Sequence, residues 1–284
     1  MNSTFNEQKE RDEQRGDEWV FGAIPTDLAQ VPLEQRMVYL PTGVLQFNNV
    51  MDTNGCASRG PDNIVETKLD YFYDHGMHPA IKKWVDDHGY RVNGKFVLCD
   101  AYVEILSGTT PQGNSMKAPL DAIRKYGAIP ASMIPLNSDM PWDVYMNPAR
   151  VTKEHLDLGA QFLRRLPINY EKVPISQFHE ATTADSLDIA LRAWSTPVDG
   201  VYPRIEGAFT HVVDRFTNEV DIFDGYEPFI KRLAKDYILF EWGYSISIPN
   251  QNPYPDETIA LFEVLQKHGL LAYFAEAWKR LIAS

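Results

Sequence analysis

No stretch of the sequence reaches the roughly 18 consecutive apolar residues that a membrane-spanning helix requires. The first residues also lack the basic flank and apolar centre of a secretory signal. Cysteine is scarce. Cys56 and Cys99 are the two in the chain, which excludes the disulfide framework of small secreted domains and points to reducing, cytoplasmic surroundings. Positive charge is in deficit as well: 27 Lys and Arg stand against 39 Asp and Glu, a net charge of −12. A surface of that sign repels phosphate backbones and anionic lipid, so neither nucleic acid nor a membrane is an expected partner. The motifs of nucleotide and metal chemistry are missing too: no GxGxxG, no phosphate-loop lysine, no HExxH and no CxxC. His75 and His78 lie three apart without an acidic or thiol partner at ligand spacing, and 221–225 lacks the third oxygen ligand and the distal Glu of a calcium loop. No cofactor or metal is expected.

What is present suits a folded chain. Hydrophobic residues make up 44% and charged residues 23%, enough to build a sizeable core, and 284 residues make one large domain or two intimate ones. Residues 1–18 are acidic and poor in large apolar side chains, which reads as a mobile arm. Glycine and proline punctuate 19–41 like an extended strap. Val65, Leu69 and Phe72 recur at helical spacing and predict a helix reaching Gly76. Further helices are expected over 79–90 (Ile81, Trp84 and Val85 inward), 96–106, 119–126 closing at Gly127, 152–165 (Leu156, Phe162 and Leu163 inward) and 185–194. Asn93-Gly94 marks a turn. Short β-rich runs follow at 208–213, 220–223, 237–242 and 244–248, separated by Thr217-Asn218, Asp224-Gly225 and Gly243. Helical text followed by strand text predicts an α+β protein in two packed halves, 19–150 mainly helical and 151–249 mainly β. Beyond Pro249 the apolar spacing turns helical again. Lys267-His268-Gly269 there predicts a helical hairpin, folded back on its own domain or presented to a protein partner.

The chemistry left open is that of a thiol. Cys56 lies in Thr53-Asn54-Gly55-Cys56-Ala57-Ser58, a run of small residues just before the amphipathic helix. A nucleophilic thiolate needs a cationic neighbour or a helix N-terminus, and small flanking residues leave room for a substrate. His211, inside a β-rich run, is the candidate imidazole. Asp224, at the end of the next run, is placed to orient it. Cys99, in apolar text, reads as a core residue.

Taken together, several stretches resemble a papain-like cysteine peptidase of the divergent kind carried by bacteria and their phages. They are Gln46-Phe47-Asn48-Asn49 leading to Cys56, Lys125-Tyr126-Gly127-Ala128-Ile129-Pro130, the segment 187–200, Thr210-His211-Val212-Val213, Asp224-Gly225-Tyr226 and Glu241-Trp242-Gly243-Tyr244. The resemblance implies a two-lobed papain-like fold, with a helical half carrying the cysteine, an antiparallel β half carrying the histidine, and a polypeptide substrate in the cleft between. It implies hydrolysis of peptide or isopeptide bonds through an acyl-enzyme on Cys56, with His211 as base and Asp224 as orienter. It makes Trp242 the cover over the histidine–carboxylate contact, and a virion-associated location becomes an alternative to the cytoplasm.

The chain departs from the family's pattern in four places. Asp224 stands where the family usually has Asn. Val50 stands six residues before the cysteine, where the family has the glutamine of its oxyanion hole. Gln46 is the nearest glutamine, and Asn48, Asn49 and Asn54 are alternatives. No aromatic follows Cys56, and Gly60-Pro61 interrupts the helix expected to run on from it, so either the helix bends or it begins near Pro61. These departures leave a papain-fold binding or structural subunit, weakly active or inactive, as the competing expectation.

Overall fold

The computed structural model of the chain describes residues 5–14 and 30–248. The helical hairpin expected near the C-terminus and residues 19–29 of the strap lie outside the described residues. What is described is a mixed helix-and-sheet, α+β structure.

The helices come mostly first: α1 (Glu7–Gln14), α2 (Arg36–Tyr39), α3 (Cys56–His75) and α4 (Pro79–Asp87), then a hairpin of β1 (Arg91–Val92) and β2 (Lys95–Phe96). Next come α5 (Asp100–Ser107), α6 (Lys117–Tyr126), α7 (Trp142–Tyr145) and α8 (Lys153–Arg165). The rest is β3 (Asn169–Pro174), α9 (Phe178–Ala184), β4 (Leu187–Leu191), β5 (Val201–Tyr202), β6 (His211–Arg215), β7 (Asp221–Phe223), β8 (Ile230–Leu233) and β9 (Leu239–Ser247). Strands β3 to β9 form one sheet in the order β3-β9-β4-β6-β7-β8-β5, antiparallel except where β5 joins β8.

Helix α3 is the central beam. At 1.5 Å per residue it is about 30 Å long, and it packs across β4, β6 and β9 while α5 and α6 cover it elsewhere. Its Val65, Leu69 and Phe72 stripe is buried as the spacing predicts. It begins at Cys56, not at Pro61: Ser58 and Arg59 donate their N–H groups to Gly55 O at 2.9 and 3.0 Å. Pro61 sits inside the helix near its start, where its missing N–H leaves a single carbonyl, that of Ala57, without its helical donor. Gly60 lacks the Cβ that crowds a pre-proline helical residue, and a Cβ there would meet Asp188 Oδ1 at 2.2 Å.

Elsewhere the helical reading holds for α4, which buries Ile81, Trp84 and Val85, and for α6, which closes at Gly127 in a positive-φ conformation. Four expectations are corrected. Residues 185–194 contain a strand, β4, and its five residues are all buried. Asp188 and Ala190 lie toward α3, while Leu187, Ile189 and Leu191 join a second apolar cluster. A strand covered on both faces shows no alternation, so its apolar spacing imitates a helix. Phe96 belongs to a hairpin around Asn93-Gly94, both at positive φ, and the helix starts only at Asp100. Helix α8 buries Leu158 and Phe162, leaving Leu156 exposed and Leu163 half-buried. Gly243 does not separate two strands. It lies within β9, where a Cβ would sit 2.5 Å from Asp188 O, so it permits close strand approach.

The described part of the acidic N-terminal arm packs against the rest of the chain. Phe5 is 1% exposed and packs edge-to-face on Phe240. Phe5 N donates to Thr210 O and Asn6 N to Asn114 O. Glu10, fully buried, accepts from Trp242 Nε1 at 2.9 Å, Tyr244 OH at 2.7 Å and Lys117 N at 3.1 Å. One aromatic and one fully partnered carboxylate anchor a segment whose composition suggests none.

Candidate active site

Cys56 is the first residue of α3, where the helix dipole favours an anion. Its thiol is buried and in no disulfide. His211 is the first residue of β6, and Asp224 directly follows β7, the strand paired antiparallel with β6. That pairing brings the two side chains to one end of the sheet, with His211 Nε2 and Asp224 Oδ1 2.5 Å apart. Cys56 hydrogen-bonds the same imidazole. The three residues singled out in the sequence are therefore joined through the imidazole.

The electrostatics follow from the geometry. Burial pulls the His211 imidazolium down, but the Asp224 carboxylate and the Cys56 sulfur outweigh it and push its pKa up to about 10. Burial raises the Asp224 carboxyl, yet His211 and Lys231 hold it below the ordinary range. Burial pushes the Cys99 thiol up to about 12, and its Sγ faces Ile134 O at 3.7 Å, as befits a core residue. Two further buried acids flank the start of α3. Glu104 packs under Gly55, where a Cβ would lie 1.9 Å from Oε1, and burial raises its carboxyl to about 8. Asp188 is pushed well above the usual range by burial, then by Asp214, Glu10 and Cys56. Glu104 therefore stays largely protonated at neutral pH, which spares the thiolate an adjacent anion.

Of the amide candidates, Gln46 reaches the site. It is fully buried, and its Nε2 donates to Asp52 Oδ1 at 3.1 Å and to the Tyr226 hydroxyl. The Tyr226 hydroxyl donates in turn to Asp52 Oδ2, and its ring lies 5.2 Å from the imidazole. Asn54 is buried at positive φ beside Cys56. Asn48 and Asn49 point elsewhere. The first donates to Asn137 O and Met140 O, the second to Asp139. Val50 is exposed.

Three residues around the site escape the sequence reading. Trp242 does not cover it, because its indole N–H is bound to Glu10 and its ring packs on Phe240. Trp194 takes that place, edge-on at 5.4 Å from His211. Asp52 holds Gln46 and Tyr226. Lys231, 3% exposed, donates to Asp224 Oδ2 at 2.5 Å. Its signal lay in Ile230-Lys231-Arg232-Leu233, where strand alternation puts Lys231 on the buried side with Leu233. His75 and His78 serve helix ends: His75 Nδ1 bonds Tyr71 O, and His78 caps α4. Among the described residues no group of His, Cys, Asp and Glu is arranged to hold a metal ion, and no helix is long and apolar enough to cross a membrane.

No family model and no curated protein sequence matches the chain. Among solved structures, the chain is similar to xylellain, a cysteine protease from Xylella fastidiosa, at 10% sequence identity and a TM-score of 0.45, over 81% of this chain and 94% of that one.

Proposed function

We propose that the protein is a papain-like thiol hydrolase cleaving peptide or isopeptide bonds, with α3 and its covering helices as one lobe and the large sheet as the other. One observation carries the reading: the His211 imidazole stands between the Cys56 side chain and the Asp224 carboxylate, with Cys56 at a helix start. His211 takes the thiol proton, and the Cys56 thiolate attacks the substrate carbonyl carbon. The resulting oxyanion turns toward the Cys56 backbone N–H and a side-chain amide, for which Gln46 is the candidate. The imidazolium then gives its proton to the leaving amine, leaving a thioester on Cys56. Water, deprotonated by His211, hydrolyses the thioester and restores the thiol. The net charge of −12 leaves polypeptide as the substrate class and disfavours nucleic acid.

The test is selective alkylation. Iodoacetamide at pH 7 is expected to label Cys56 much faster than Cys99, and His211→Ala is expected to abolish the difference. Equal labelling, or labelling of Cys99 alone, would overturn the reading. A second reading, a papain-fold binding subunit, is favoured by the Gln46 amide, whose two N–H donors are both engaged by Asp52 and Tyr226. A Cys56 that labels selectively while no peptide mixture is hydrolysed would establish it.

A further inference from the structure

The carboxylate that orients His211 has its own counter-ion. Asp224 is buried, and its two oxygens are divided: Oδ1 meets His211 Nε2 and Oδ2 meets Lys231 Nζ, each at 2.5 Å. An ammonium has three N–H donors and no acceptor. Those of Lys231 go to Asp224 Oδ2, Tyr226 O at 2.6 Å and Pro228 O at 2.7 Å. The side chain is thus satisfied in its charged form and pins the 224–228 turn to β8. One indole screens the assembly, with Trp194 edge-on at 5.4 Å from His211 and 4.9 Å from Lys231 Nζ.

Charge explains why a lysine belongs there. With the proton on His211, the buried series Cys56, His211, Asp224, Lys231 alternates in sign and sums to zero. Without the ammonium it carries a net negative charge away from water, which is unfavourable. A neutral carboxamide in place of Asp224 would accept from the imidazole with no cation behind it, whereas a carboxylate needs one. The other ionisable groups around this series are Tyr226 in the following turn with Asp52, to which it donates, Tyr202 on β5, which senses Asp224, Asp188 on β4, which senses Cys56, Glu104 on α5 under Gly55, and Arg59 on α3 beside Gly225.

We propose that Lys231 is a positioning residue of the thiol site, fixing and neutralising Asp224 so that the pair presents to His211 what a single neutral amide would. The inference rests on Cys56 and His211 acting as proposed above. It predicts a sign for each substitution. Lys231→Met leaves the carboxylate uncompensated and strengthens the imidazolium. Asp224→Asn leaves a bare ammonium and weakens it. The double variant restores neutrality.

The experiment follows the His211 imidazole by NMR from pH 5 to 11, and the rate of Cys56 alkylation over the same range, in wild type, both single variants and Asp224→Asn/Lys231→Met. In Lys231→Met, His211 is expected to stay mostly protonated at the pH where wild type is half-titrated, a rise of about one pH unit or more, while the midpoint is expected to fall in Asp224→Asn and to return close to wild type in the double variant, with recovery of most of the alkylation rate. A folded Lys231→Met protein that titrates like wild type overturns the proposal, as does a double variant no nearer wild type than either single one. Should Lys231→Met fail to fold, the double variant is expected to fold and to titrate above Asp224→Asn; misfolding of both, or no shift between those two, also overturns it. The two readings fail separately. A wild-type Cys56 no more reactive than Cys99 ends the hydrolase reading, while the imidazole titration still reports the Asp224–Lys231 coupling.

Discussion

Gln46 and its neighbours divide into a residue buried beside Asp52 and Tyr226 and residues that only shape the loop in front of Cys56. Asn48 caps that loop on both sides, accepting from Val50 N and Met51 N while donating to Asn137 O and Met140 O. Gln46 instead lies against the turn after Asp224, its backbone N–H on Gly225 O and its Oε1 3.0 Å from where a Cβ on Gly225 would stand. A Gln46→Ala variant is therefore expected to lower kcat by about 10²–10³ with little change in KM, as loss of an oxyanion donor does. Asn48→Ala and Asn49→Ala are expected to leave kcat within about twofold, since their amides face 137–140. Steady-state kinetics on any cleaved peptide decides between them. The prediction implies that the Gln46 amide turns from Asp52 and Tyr226 toward the substrate, so Tyr226→Phe is expected to spare most of the activity.

At the scale of elements, α1 makes a measurable claim. Glu10→Ala would strip the acceptor from Trp242 Nε1, Tyr244 OH and Lys117 N at once. Each buried unsatisfied donor costs about 1–3 kcal/mol, so the variant is expected to lose about 3 kcal/mol or more in urea unfolding. Phe5→Ala is expected to lose about 3–5 kcal/mol. A mobile arm would register neither change. This is also where the sequence was least legible. One-sided helices such as α4 and α6, the turn at Asn93-Gly94 and the order of Cys56, His211 and Asp224 could be read, because amphipathic spacing and turn chemistry are local signals. Strand β4 could not, because burial on both faces erases the period. Nor could the anchoring of α1, since the value of Glu10 depends on Trp242, 232 positions away. The Lys231 contact was half legible, its inward face written in the alternation of β8 but its partner set by the turn at 224–228. Trp242 was misassigned because two tryptophans lie near the site in sequence terms and only packing separates them.

For the molecule as a whole, the buried acids set the pH response. Burial raises Asp214 and Glu104 to about 8 and Asp70 to about 6, against unfolded values near 4. A carboxyl raised on folding contributes stability that is full below its unfolded pKa and fades as pH rises through its folded one. His211, at about 10, loses its contribution in the same direction above about pH 6.5. Asp224 and Asp121, held low, work the opposite way and lose theirs as pH falls below about 4. Thermal melts are thus expected to peak near pH 5 and to decline steadily toward pH 9, and Asp214→Asn is expected to flatten the decline. The closure between α1 and β9 has a further effect, on timing. A ribosome adding about 5–20 residues per second needs roughly ten to fifty seconds to travel from Glu10 to Trp242. For most of that interval the nascent chain carries Cys56 without His211, which lies 155 residues further on, so the thiol is made well before its proposed base and the site is assembled only when β9 arrives.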